Sequence, residues 1–132
     1  YNTLTKCRIN KKGGGVAMMV RRDLEFSILP DILNEEIIGI DLLLGRERFT
    51  IYSLYNPPNK ILDKNMLLEI SRSINIIICG DLNAKTAHNT LNRNGTILNS
   101  FLDESDCISA NTHNHNTFWC KRNNLFGELD YI

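Results

Sequence analysis

Apolar positions recur along the 132-residue chain with a period of two at first and a helical period later. After Gly13-Gly14-Gly15, residues 16–20 are wholly apolar and predict a strand entered through a glycine approach. Residues 24–28 alternate apolar and polar, the pattern of a short half-buried strand. Two longer strand candidates follow, residues 36–44 and 49–54, joined by Gly45-Arg46-Glu47-Arg48 as a hairpin with a slightly long turn. Asn56-Pro57-Pro58-Asn59 then forbids regular structure, because proline fixes its own backbone angle and removes a donor.

Beyond the prolines, Ile61, Leu62, Met66, Leu67 and Ile70 stand at near-helical spacing and predict an amphipathic helix over residues 60–72. Residues 74–79 read as a buried strand. Asn94 is placed to cap a second helix whose apolar face includes Ile97, Leu98, Phe101 and Leu102. Short strands are expected at 107–109, 117–120 and 129–132. Hairpins first and β-α-β afterwards predict an α/β unit of mixed sheets with helices outside, without a linker or repeat.

Composition leaves this picture unchanged: 42% hydrophobic and 23% charged residues suit a globular protein about one domain long. No apolar run approaches the roughly 18 residues of a membrane span, and no signal-peptide pattern opens the chain. Tyr1 in place of a methionine leads us to expect a lost upstream segment. Net charge is zero, but Lys6, Arg8, Lys11, Lys12, Arg21 and Arg22 precede the first acid. Such a basic front end suits phosphates, and equally a solvated loop beside a strand. Cys7, Cys79, Cys107 and Cys120 lack metal or redox spacing. We read them as reduced thiols in an intracellular setting, Cys79 as a small buried one.

The chemistry gathers at Gly80-Asp81-Leu82-Asn83, directly after the apolar run that ends at Cys79. Strand alternation would point Asp81 and Asn83 the same way and Leu82 the other. A carboxylate there can orient an attacking water or bind a hard cation. An amide can donate to a phosphoryl oxygen without adding negative charge. A plain β-turn, which Asp and Asn both favour, fits these four residues equally well.

Gly80-Asp81-Leu82-Asn83 resembles the Gly-Asp-hydrophobic-Asn motif of the endonuclease/exonuclease/phosphatase superfamily. Thr117-Phe118-Trp119 followed by Leu129-Asp130-Tyr131 resembles the next motif of its apurinic-endonuclease-like branch. Gly13-Gly14-Gly15-Val16-Ala17, Tyr55-Asn56-Pro57-Pro58, Ala84-Lys85 after the first motif, and Asn94-Gly95 add a likeness to jockey-like non-LTR retrotransposon endonucleases. Each is weak alone; their order and spacing span nearly the whole chain.

This resemblance implies a DNase I-like four-layer α/β sandwich with two mixed β-sheets. Residues 1–132 would be a partial domain, with the N-terminal and C-terminal motifs outside it. Implied catalytic residues are Asp81 for the attacking water, Asn83 for the phosphoryl group, Tyr55 as a phenolic donor and Asp130 to orient a histidine. Asp81 and Asn83 would also face a divalent cation, Mg²⁺ or Mn²⁺. Asn56, Thr117, Phe118 and His88 are the expected substrate contacts, although Phe118 suits a core as well. His113 and His115 are expected to be solvated.

Three departures qualify the likeness. The family's metal-binding glutamate and the asparagine before it would lie upstream of Tyr1, and its Ser-Asp-His motif downstream of Ile132. The tryptophan that walls the damaged-sugar pocket in abasic-site repair enzymes is replaced by Gly127. That favours nicking of undamaged DNA. The implied reaction is phosphodiester hydrolysis leaving a 3′-hydroxyl that primes a covalently linked reverse transcriptase in the nucleus. These 132 residues alone are expected to show little nicking. Rival readings are another phosphoesterase of the superfamily, such as a lipid or inositol-phosphate phosphatase, and a non-catalytic DNA-binding remnant.

Overall fold

A computed structural model describes residues 1–8, 13–87 and 90–111, together with the strand backbones of Phe118–Cys120, Leu125–Gly127 and Asp130–Tyr131. The described chain forms two compact units, Tyr1–Tyr55 with Ser73–Cys79, and Asn56–Arg72 with Gly80–Ile132.

In the first unit, β1 (Asn2–Cys7) pairs antiparallel with β2 (Gly15–Val20), from Asn2 opposite Val20 to Cys7 opposite Gly15. β1 escaped the hydrophobic pattern because Leu4 is its one apolar residue ahead of Cys7. β3 (Glu25–Ile28), β4 (Glu36–Leu44) and β5 (Glu47–Tyr55) form an antiparallel meander. Its second turn is tighter than expected: Leu44 pairs with Glu47, so only Gly45 and Arg46 lie outside the ladder. β6 (Ile76–Asp81) is the next strand after β5. The Thr50 N–H donates to the Asn75 carbonyl, and Asn56 to Asp81, both at 2.8 Å. The same sequence offset at both bonds makes this pairing parallel, which gives the sheet its mixed character.

The β1–β2 hairpin packs over β4 and β5. Val20, Ile40 and Leu42 are buried between these layers, with Leu4, Met18, Leu24, Phe26 and Ile51 against them. β4 is apolar at almost every position because Ile37, Ile38, Ile40 and Leu42 are all buried, so both faces of the strand are covered. The buried strand expected at 74–79 begins two residues later. Ile74 stays 98% exposed, while the Asn75 side chain donates to the Arg48 carbonyl at 3.1 Å.

In the second unit, α1 (Lys64–Ile70) packs against α2 (Arg93–Glu104). The first helix is shorter than its apolar spacing suggested, because the Asp63 side chain accepts from Met66 N–H and starts it there. Leu62, Met66, Leu67, Ile70, Leu98 and Phe101 are buried. The strand expected at 107–109 does not form, and Ile108 is exposed. β7 (Phe118–Cys120) pairs with β8 (Leu125–Gly127), and β9 (Asp130–Tyr131) pairs with the end of β6. Among the described residues, no helix is long and apolar enough to cross a membrane.

Candidate active site

Asp81 is the last residue of β6, so an apolar strand delivers the carboxylate to the sheet's end. Strand alternation stops there. Asn83 has φ 47°, in the left-handed region that asparagine tolerates better than most residues. Its N–H donates to Asp81 Oδ1 at 2.9 Å, closing an Asx-turn. The turn reading is therefore realised, and it fixes the Asp81 carboxylate instead of competing with a chemical role. The expected common direction of Asp81 and Asn83 does not follow from pleat geometry. Leu82 between them is buried.

Two asparagines, Asn56 and Asn92, hold this loop, and a third, Asn94, holds the segment at Lys60 and Leu62. Asn56 is 2% exposed; its amide donates to the carbonyls of Lys60 and Leu82, at 3.1 and 3.3 Å. Its backbone N–H meets the Asp81 carbonyl, and its own carbonyl accepts from Asn83 Nδ2 at 2.9 Å. Asn56, expected among the substrate contacts, is in the structure a buried brace between the diproline turn and the Asp81 loop. Asn92 Oδ1 accepts from the N–H groups of Lys85 and Gly95, at 2.9 and 2.7 Å, and its Nδ2 donates to the Asn83 carbonyl at 2.9 Å. Asn94 Oδ1 accepts from Leu62 N–H at 3.0 Å, and its Nδ2 donates to the Lys60 carbonyl at 3.1 Å.

The cap of α2 is thus Asn92, not Asn94, which lies buried within the helix. Gly95 at N3 gives the backbone N–H that this cap accepts, but Ile97 offers Asn94 the same group, so the sequence alone does not separate the two asparagines. Gly95 is required by close approach: a Cβ there would stand 1.8 Å from the Lys85 carbonyl oxygen. The loop after Asp81 runs directly across the helix start.

Backbone register sets Asp130 opposite Asp81, and Tyr131 opposite Gly80. Two positions far apart in sequence therefore meet on neighbouring strands. His88 and Thr117 lie outside the described residues, and Phe118 and Asp130 are described by backbone alone. Tyr55 ends β5, opposite Glu36. In that first unit three cations of the basic front end are paired with acids: Lys6 with Asp31, Arg8 with Glu36 and Arg21 with Asp23. Cys79 donates to the Tyr52 carbonyl at 3.4 Å, and burial pushes its thiol pKa up, as for an inert structural cysteine. Cys7, Cys79 and Cys107 are free thiols.

The order of these motifs agrees with a family-wide match over residues 1–132. The chain belongs to the Endonuclease/Exonuclease/phosphatase family. A solved structure, the endonuclease domain of TRAS1, a telomere-specific non-LTR retrotransposon, is similar at 19% identity with a TM-score of 0.81. The similarity covers 98% of this chain, which spans 64% of that structure's length. It shows the fold, the DNase I-like α/β sandwich that the motifs implied. Among curated proteins no significant match is found. No group of three His, Cys, Asp or Glu side chains among the described residues could hold a metal ion. By themselves the described residues do not make a site for the cation of the family's chemistry.

Proposed function

We propose that this member of the Endonuclease/Exonuclease/phosphatase family is a DNA endonuclease domain of a non-LTR retrotransposon, nicking target DNA to give a 3′-hydroxyl primer. The observation that carries this reading is the register of β6 and β9, which sets the motif aspartates 81 and 130 opposite each other. It joins the two motifs that the resemblance rests on.

In the proposed reaction the Asp81 carboxylate orients the attacking water and draws off its proton as the new phosphorus–oxygen bond forms and the bond from phosphorus to the 3′-oxygen breaks; that oxygen takes up a proton and leaves as the 3′-hydroxyl, and the phosphate stays on the 5′ end. The Asx-turn holds that carboxylate still, which lowers the cost of orienting it. An asparagine amide carries two N–H donors. One is on the Asn56 carbonyl, and the other would donate to a phosphoryl oxygen as charge grows there. Tyr55 supplies a phenolic donor, and Asp130 orients a histidine contributed by flanking sequence. The magnesium or manganese implied for the family would need ligands beyond the described residues. Those ligands, a reverse transcriptase and a nuclear location belong to this proposal as features of a longer polypeptide.

The alternative phosphoesterase reading separates on substrate. The domain, expressed with its native flanking sequence, is expected to convert supercoiled plasmid to open circles in magnesium buffer while releasing no phosphate from inositol phosphates. Phosphate release without nicking would transfer the chain to the phosphatases of the family.

A further inference from the structure

Arg8, Glu36 and the backbone of Gly15 form a cluster in the first unit that the reaction above leaves unused. Arg8 Nε donates to Glu36 Oε1 at 2.6 Å, and Gly15 N–H donates to Glu36 Oε2 at 2.6 Å. Both carboxylate oxygens are therefore engaged, and the guanidinium is pinned. Glu36 is the direct ladder partner of Tyr55, and the Arg8 guanidinium carbon lies 5.5 Å from the Tyr55 ring centroid. Space for it depends on Gly14, where a Cβ would come 2.6 Å from Arg8 Cζ. Glu36 first, and the Tyr55 side chain second, raise the pKa of Arg8, so the cation is permanent.

A pinned ion pair is a costly way to fill space, since Arg8 Nη2 is buried with no hydrogen-bond partner among the described residues. Its neighbour gives it a use. We propose that Arg8, held by Glu36, is a positioning residue for Tyr55. The guanidinium carbon stands over the Tyr55 ring, so the held cation attracts the ring face and fixes the orientation in which the phenol is presented. This inference rests on the proposed phosphate-contacting role of Tyr55.

Two measurements on the 132-residue chain test it. The first is the ¹³Cζ resonance of Tyr55, which is expected to move in Arg8→Gln while those of Tyr1 and Tyr52 stay. The second is binding of a fluorescein-labelled DNA duplex in a double-mutant cycle. Tyr55→Phe and Arg8→Gln are each expected to weaken binding about fivefold, and the double variant no more than either. Arg8→Lys, a point charge without the planar fork, is expected to behave as Arg8→Gln. It also serves if Arg8→Gln fails to fold. An unmoved resonance, additive losses, no loss in either single variant, or full binding by Arg8→Lys would each overturn the proposal. If the unchanged chain fails to bind DNA, the nuclease reading fails, and the resonance alone still decides whether Arg8 positions Tyr55.

Discussion

Asn92 does three jobs with one amide: it caps α2, holds the Lys85 N–H and ties down the Asn83 carbonyl. Asn92→Ala removes all three, and urea unfolding is expected to show a loss of about 2 kcal/mol, the upper range for a lost cap. Asn92→Asp separates the roles. A carboxylate still accepts both N–H groups but cannot donate to the Asn83 carbonyl. Helix content by circular dichroism should survive in Asn92→Asp, while amide exchange quickens at Asn83 and Lys85. Equal helix loss in both variants would show that the cap and the loop anchor are not distinct. The neighbouring Asn94 shows where sequence reasoning reached its limit. Two asparagines stand two residues apart, and only the packing of Leu62 and Lys60 against the second decides which begins the helix.

At the level of elements, α1 and α2 are linked at their surface by Lys64, which reaches Glu104 at 2.6 Å and Ser100 at 3.1 Å. The Lys64 hydrogen bond, with its charge, holds the Glu104 carboxyl below its ordinary value of 4.5. A carboxylate depressed in the folded state adds stability above its unfolded pKa and loses it as pH falls through the folded value. Glu104→Gln is therefore expected to flatten the pH dependence of stability below about pH 5 and to leave it unchanged near neutrality. The pair is exposed, so the effect should shrink in high salt. Unaltered acid dependence in the variant would contradict this.

Strongly patterned elements were legible in advance. β4 announces itself by four buried aliphatics, and both helices by their apolar spacing. β1 was not legible, because its strand state comes from pairing with β2 rather than from its own residues. The site divides in the same way. Asp81 and Asn83 could be read from a local motif, whereas Asn92, Arg8 and Glu36 act through partners that only tertiary folding supplies.

For the molecule as a whole, a match over the full chain and a shared fold place it in the Endonuclease/Exonuclease/phosphatase family. The chain spans 64% of the length of the retrotransposon endonuclease domain it is similar to. What its residues contribute is an acid at a strand end, its loop braced by the buried Asn56 and the capping Asn92, with a second acid position opposite. The most direct test of that contribution is the rate at which the domain, with its native flanks, nicks supercoiled plasmid before and after Asp81→Ala. The account predicts a fall of about 10²–10⁴-fold, the usual cost of losing one acid–base partner, with DNA binding largely retained. Nicking at an undiminished rate by folded Asp81→Ala protein would contradict it.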